Sequence, residues 1–258
     1  MECECHWSSF VLGREANCII KREFLDDSDE KCEASSFRRC IKMPVSNYYF
    51  TQEHSSMGFK LFLPNNYNDH EDQSFPLILF LHGIKRRGND LSLLDDYGLL
   101  EVADQSVNFP YIVVAPQCPS DTYWPENRLI VLSLLNQILE KYQVDQNSIY
   151  LTGFSMGGNG VWDLAAKDEG LFAAAVPVSG WYEANAAIRL CTMPIWAFHG
   201  ENDDIVSISS SETMVNAITE AGGAPLFTRY PGLTHNVMHE TYTNPQLYDW
   251  LMRNKKQF

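Results

Sequence analysis

Apolar residues along this chain come in short unbroken blocks separated by longer polar or amphipathic stretches. The blocks are GFKLFLP at 58–64, PLILFLHG at 76–83, YIVVAP at 111–116, SIYLTGF at 148–154, AAAVPVSG at 173–180, PIWAFHG at 194–200 and LFTRYP at 226–231. Most are rich in β-branched or aromatic residues and show no in/out alternation, the pattern of strands buried on both faces. The intervening stretches carry helical spacing. Pro125 suits a first helical position, and Val131, Leu134, Leu135, Ile138 and Tyr142 then fall on one face. A helix is predicted from Met156 to Lys167. Another is predicted to start near Ser209–Ser211 and stop at Gly222-Gly223, and a last one to open at Asn244-Pro245 and run through Trp250. Strands alternating with helices predict an α/β fold, a mostly parallel central sheet with helices on both faces.

The first 45 residues do not follow this pattern. They are polar, weakly periodic and hold five of the seven cysteines: Cys3, Cys5, Cys18, Cys32 and Cys40. The chain is therefore read as an N-terminal cysteine-rich extension over 1–45 and a catalytic domain over 46–258. The C-x-C spacing of Cys3 and Cys5 beside His6 is not the paired spacing of a zinc site, and an odd cysteine count does not make a closed disulfide framework. Free thiols and no metal are the expectation.

At 258 residues the chain is long enough for one well-buried domain. Its formal net charge of -14 argues against nucleic acid and anionic membrane as partners. No apolar run approaches the roughly 20 residues of a spanning helix, and MECECHWSSF has no basic start followed by an apolar stretch, so a cytoplasmic protein is expected.

The chemistry centres on Gly153-Phe154-Ser155-Met156-Gly157, a G-x-S-x-G run between a predicted strand and a predicted helix. That is the setting of a nucleophile elbow, where a sharp turn exposes a serine at the positive end of a helix. A serine hydroxyl needs a base, and in this arrangement the order along the chain is serine, acid, histidine. Three histidines follow: His199, His235 and His239. His235, in a loop after LFTRY and Pro231-Gly232, is the chosen base, with His239 second. Their spacing of four could also suit a metal, but no H-E-x-x-H glutamate accompanies it. The acid is sought in Glu201-Asn202-Asp203-Asp204 at a strand end, with Asp203 ahead of Asp204. The N–H groups of Met156 and Ile84 are the expected oxyanion donors. His82 is read as a hydrogen-bonded structural residue. Lys85-Arg86-Arg87 either binds an anionic part of a substrate or forms a solvated loop with an internal ion pair. Trp124 and Trp181, in or beside loops after strands, join Lys85 as candidate substrate-binding residues, while Trp162, Trp196 and Trp250 are assigned to the core.

From Gly58 to Leu251 the chain resembles a group of α/β-hydrolases that includes predicted peptidases, phospholipase/carboxylesterase-like proteins and relatives of poly(3-hydroxybutyrate) depolymerases and feruloyl esterases. The residues that carry the resemblance are PLILFLHG with Arg87-Gly88-Asn89-Asp90, YIVVAPQCP, IYLTGFSMGGNGVWDLAA, FAAAVPVSG, PIWAFHGENDDIV, and YPGLTH with NPQLYDWL. The resemblance implies the α/β-hydrolase fold, Ser155 as nucleophile, Asp203 in preference to Asp204 as acid, His235 as base, and hydrolysis of small-molecule carboxylic esters without a cofactor. Two other readings are a peptidase or amidase using the same three residues and a non-catalytic ligand-binding protein. Two departures stand out. HGIKRRG at 82–88 is bulkier and more basic than the HGAGERG of relatives. Asn236-Val237-Met238 replaces their Asp-Ser-Trp, which removes an aromatic wall.

Overall fold

The computed structural model describes residues 19–22, 45–52, 55–67 and 73–256. The cysteines at 3, 5, 18, 32 and 40, and with them the zinc and thiol readings of that segment, lie outside the described residues. Cys118 and Cys191 are free thiols.

All seven apolar blocks become strands of one nine-stranded sheet. In chain order these are β3 (Ser55–Phe62), β4 (Phe75–Leu81), β5 (Ile112–Pro116), β6 (Val144–Phe154), β7 (Ala174–Val178), β8 (Trp196–Gly200) and β9 (Leu226–Tyr230). They are preceded by β1 (Ile19–Arg22) and β2 (Ser46–Gln52). The spatial order is β1-β2-β3-β5-β4-β6-β7-β8-β9. Strands β4 to β9 run parallel, and β1, β2 and β3 pair antiparallel at one side. β1 lies inside the segment expected to be a separate extension, so these four residues belong to the sheet of the following domain. β2 is held through Tyr48, which stacks on its register partner Phe59 with ring centroids 5.4 Å apart.

The period-two geometry of a strand explains why the blocks are apolar throughout. In β4, Leu77, Leu79 and Leu81 enter one core layer, while Ile78 and Phe80 enter the other. The first layer packs against α2 (Arg128–Lys141), α3 (Met156–Lys167), α4 (Ala187–Leu190) and α5 (Ser209–Glu220). The second packs against α1 (Leu99–Gln105), α6 (Met238–Tyr242) and α7 (Pro245–Arg253). Helices thus cover both faces, as the pattern predicts. Truncating one of these buried leucines to alanine costs about 2–5 kcal/mol. Pro125 opens a 3₁₀ turn over Trp124–Asn127, and α2 proper starts at Arg128. Among the described residues no helix is long and apolar enough to cross a membrane.

The strand order sets the position of the site. β4 pairs with β5 on one side and β6 on the other. The connections leave in opposite directions, which opens a crevice at the carboxyl ends of β4 and β6. His82 and Gly83 follow β4 there, and Ser155 follows β6.

Candidate active site

Ser155 caps the N-terminus of α3 with φ 57° and ψ −116°. A non-glycine residue at positive φ is strained, and the surroundings must impose it. Two close backbone approaches do so. The Ser155 N–H donates to the Val178 carbonyl at 2.8 Å. Gly157 lies so close to β4 that a Cβ there would stand 1.9 Å from the Leu81 carbonyl oxygen.

The Ser155 Oγ lies 2.8 Å from Nε2 of His235, and Nδ1 of His235 lies 2.7 Å from Oδ2 of Asp203. The structure thus brings together the serine, the histidine and the acid singled out in the sequence. Asp204 is exposed, and His239 sits exposed on α6. Oδ1 of Asp203 accepts the N–H groups of Ile205 at 2.9 Å and Val206 at 2.8 Å. Burial pushes the Asp203 carboxyl up, but the hydrogen bond from His235 and those of the two N–H groups outweigh it and hold the acid below its ordinary value. A carboxylate only accepts, so Nδ1–H of His235 donates to it, and in the neutral ring Nε2 keeps a lone pair for the serine proton.

The loop carrying His235 is tied to the strands on either side. Ser179, at the end of β7, donates its hydroxyl to the His235 carbonyl at 3.0 Å, and Phe154 packs its ring 4.9 Å from the imidazole. The N–H groups of Glu201 and Asn202 donate to the carbonyls of Tyr230 and Leu233. Only glycine fits at 200, where a Cβ would lie 2.2 Å from the Thr234 carbonyl oxygen. The acid and base loops are therefore sewn together along their backbones.

A cleft of about 450 Å³ opens above Ser155, lined by Ile84, Met156, Trp181, Ile205, Val206, Ser207 and Ser210. Ile84 and Met156 each begin a helical turn, so their N–H groups have no acceptor within it. Both residues line the cleft together with Ser155. Trp181 forms an aromatic wall. Its carbonyl accepts from the Asn159 side chain at 2.9 Å, and its neighbour Tyr182 donates to Asp163 at 2.8 Å, which fixes the loop onto α3. Ile205, Val206, Ser207 and Ser210 were not singled out from the sequence. Ile205, Val206 and Ser207 lie just after Asp203, so position is their one sequence signal, and Ser210 comes from the first turn of α5.

Trp124 is a correction. It is fully buried, packs edge-on to His82 and donates its indole N–H to the His82 carbonyl at 2.9 Å. It therefore supports the loop from below and does not line the cleft. Lys85 is exposed on the 3₁₀ turn Ile84–Arg86 and is not among the cleft-lining residues. Its neighbours close inward: Arg86 lies over the Tyr97 ring at 4.7 Å, and Arg87 lies over Tyr123 at 5.1 Å and donates to the Thr122 carbonyl. Val237 and Met238 turn into the core, so the aromatic wall absent from that segment is supplied by Trp181 on its own loop.

His82 carries the loop of Ile84. Its Nδ1–H donates to the Gly83 carbonyl at 2.8 Å, and its Nε2 accepts the Cys118 N–H at 2.9 Å. Burial lowers its pKa to about 4, so the ring is neutral and keeps this tautomer.

Comparisons with known proteins bear on the fold and the family. The chain is 24% identical over 219 residues to the bifunctional acetylxylan esterase/xylanase of Neocallimastix patriciarum, covering 79% of this chain and 29% of that protein. It is 28% identical over 169 residues to the probable feruloyl esterase C of Aspergillus terreus, covering 62% of this chain and 60% of that protein. The chain therefore spans less than two thirds of either relative. Among solved structures, a thermostable esterase superposes with a TM-score of 0.72 at 29% identity, covering 84% of this chain and 64% of that one. The acylaminoacyl peptidase of Pyrococcus horikoshii superposes with a TM-score of 0.64 at 13% identity, covering 82% of this chain and 42% of that one, a likeness of fold alone. The fold is that of the α/β-hydrolases. A model of the dienelactone hydrolase family matches residues 99–248, more than half of the chain and the stretch that holds Ser155, Asp203 and His235, so the chain belongs to that family.

Proposed function

We propose that this protein is an esterase-type hydrolase, a serine carboxylesterase that works through an acyl-enzyme. The observation that carries the reading is the continuous hydrogen-bonded line from Ser155 Oγ through His235 to the Asp203 carboxylate, starting at a strained serine on a helix N-terminus.

Ser155 Oγ attacks the ester carbonyl carbon while His235 Nε2 takes the hydroxyl proton. The carbonyl oxygen becomes an oxyanion held by the N–H groups of Ile84 and Met156, each donor worth about 3 kcal/mol in comparable sites. Asp203 holds the imidazole in its tautomer and stabilises the cation that forms. The tetrahedral intermediate collapses, the His235 proton passes to the departing alkoxide, and an alcohol leaves. Water, deprotonated by His235, then attacks the acyl-serine, and collapse releases the acid and restores Ser155.

The cleft walls Ile84, Trp181, Ile205 and Val206 are apolar, and Ser207 and Ser210 supply hydroxyls. This lining suits an uncharged acyl group of a small-molecule ester. The test is labelling by a fluorophosphonate probe together with hydrolysis of p-nitrophenyl acetate and butyrate, in wild type and Ser155→Ala. Labelling and turnover should both disappear in the variant. Turnover at the wild-type rate by a folded Ser155→Ala protein would refute the mechanism.

A further inference from the structure

His199 is a buried histidine that the cycle above does not use. It sits at the end of β8, four residues before Asp203, and is fully shielded from solvent. Its Nε2 lies 2.8 Å from the Val206 carbonyl oxygen and 3.0 Å from Asp203 Oδ2, and its Nδ1 lies 2.8 Å from the Ser211 hydroxyl on α5. A carbonyl only accepts, so Nε2 carries the hydrogen. Nδ1 is hydrogen-bonded to the hydroxyl of Ser211, which is itself buried and 3.5 Å from the Gly180 carbonyl.

The consequence falls on the loop from 203 to 206. Asp203 Oδ1 holds the Val206 N–H, and His199 holds the Val206 carbonyl, so one peptide segment is gripped from both sides. That grip leaves Oδ2 turned to His235. Oδ2 thus stands beside two imidazoles, of which His235 is the one bonded to Ser155. The same segment provides Ile205, Val206 and Ser207 to the cleft.

We propose that His199 is a positioning residue, a clamp fixed by Ser211 that aims Asp203 at His235. The proposal rests on the esterase reading above. The test is a double-mutant cycle between His199→Phe and Asp203→Asn. Rates are normalised to fluorophosphonate-reactive sites, and labelling rates replace turnover where it is slow. In the wild-type background His199→Phe should lower kcat on the order of 100-fold with KM little changed, the scale of a misplaced catalytic group. In the Asp203→Asn background it should change the rate by less than about twofold, since a residue acting through Asp203 has nothing left to aim. His199→Gln, which keeps a donor near the Nε2 position, should recover most of the loss. A histidine that only supports the fold would give the same loss in both backgrounds and would not separate kcat from KM.

Ser211→Ala decides the matter if His199→Phe does not fold. It deletes the hydrogen-bond partner of Nδ1 and should cost about tenfold, the scale of one lost hydrogen bond, again only when Asp203 is present. Wild-type kcat in a folded His199→Phe, or in Ser211→Ala if the first is unfolded, would overturn the clamp, as would losses that add fully to that of Asp203→Asn. Ser155→Ala separates the two readings. If it turns over ester normally, the esterase reading falls and the clamp with it. If it is inert while the His199 and Ser211 variants match wild type, only the clamp falls.

Discussion

Replacing His82 with glutamine should flatten the acid side of the folding-stability profile. The native ring is held at a pKa of about 4 against an ordinary 6.5, chiefly by burial; the Gly83 carbonyl works the other way, and Arg86 and Arg87 add to the lowering. In the unfolded chain the ring takes up a proton as the pH falls through 6.5, whereas the native ring refuses it until about 4. Protons therefore favour the unfolded state across that window, and stability falls as the pH falls, levelling off below the native pKa. Each unit of difference is worth about 1.4 kcal/mol, so the full window amounts to about 3 kcal/mol. Urea denaturation of wild type and His82→Gln at several values between about pH 7 and pH 4 isolates the effect, because the other titrating groups are common to both proteins. The variant should be the less stable near neutrality, where glutamine does not reproduce both imidazole bonds. Its deficit should shrink by about 3 kcal/mol toward pH 4. Parallel profiles, separated by the same amount at every pH to within about 0.5 kcal/mol, would refute the reasoning. Such a result would mean that the ring is accessible to protons in the native state.

Two further substitutions probe the cleft and the elbow. Gly157→Ala puts a Cβ against the Leu81 carbonyl, a backbone atom that cannot turn aside; thermal and urea denaturation should show a loss of about 3 kcal/mol or more, with ester hydrolysis lost as the elbow shifts. Trp181→Ala removes the aromatic wall and leaves the bonds that hold its loop, which come from its carbonyl and from Tyr182. It should raise KM for p-nitrophenyl butyrate about tenfold with little change in kcat, and steady-state kinetics that showed the reverse split would place Trp181 in transition-state stabilisation instead.

Much of this molecule follows from local pattern. A strand buried on both faces is apolar at nearly every position, which is why the continuous blocks mark the central strands, whereas β9, at the sheet edge, has no fully buried residue. The elbow was legible because a serine between a strand and a helix, with glycine two residues on either side, leaves few other conformations for the chain. Asp203 and His235 could be chosen because chain order and strand ends limit where an acid and a base can stand. The helix from Met156 to Lys167 was readable for the same reason, since the turn that ends β6 starts it.

What the sequence left open depends on contacts between distant segments. Trp124 and Trp181 occupy similar places along the chain and meet the same core layer, yet Trp124 is sealed against His82 while the loop of Trp181 is tied to α3 beside the cleft. For Arg86 and Arg87 the sequence leaves substrate binding and a solvated, ion-paired loop both open; the rings of Tyr97 and Tyr123, which come from elsewhere in the chain, take them up instead. β1 and β2 carry no continuous apolar block, and β2 is placed by its pairing with β3 and the stack of Tyr48 on Phe59. His199 could be identified from its sequence only as a histidine at a strand end. Its three polar neighbours, Asp203, Val206 and Ser211, converge only when α5 and the 203–206 loop close over β8, because hydrogen-bond geometry is decided by packing and not by residue order.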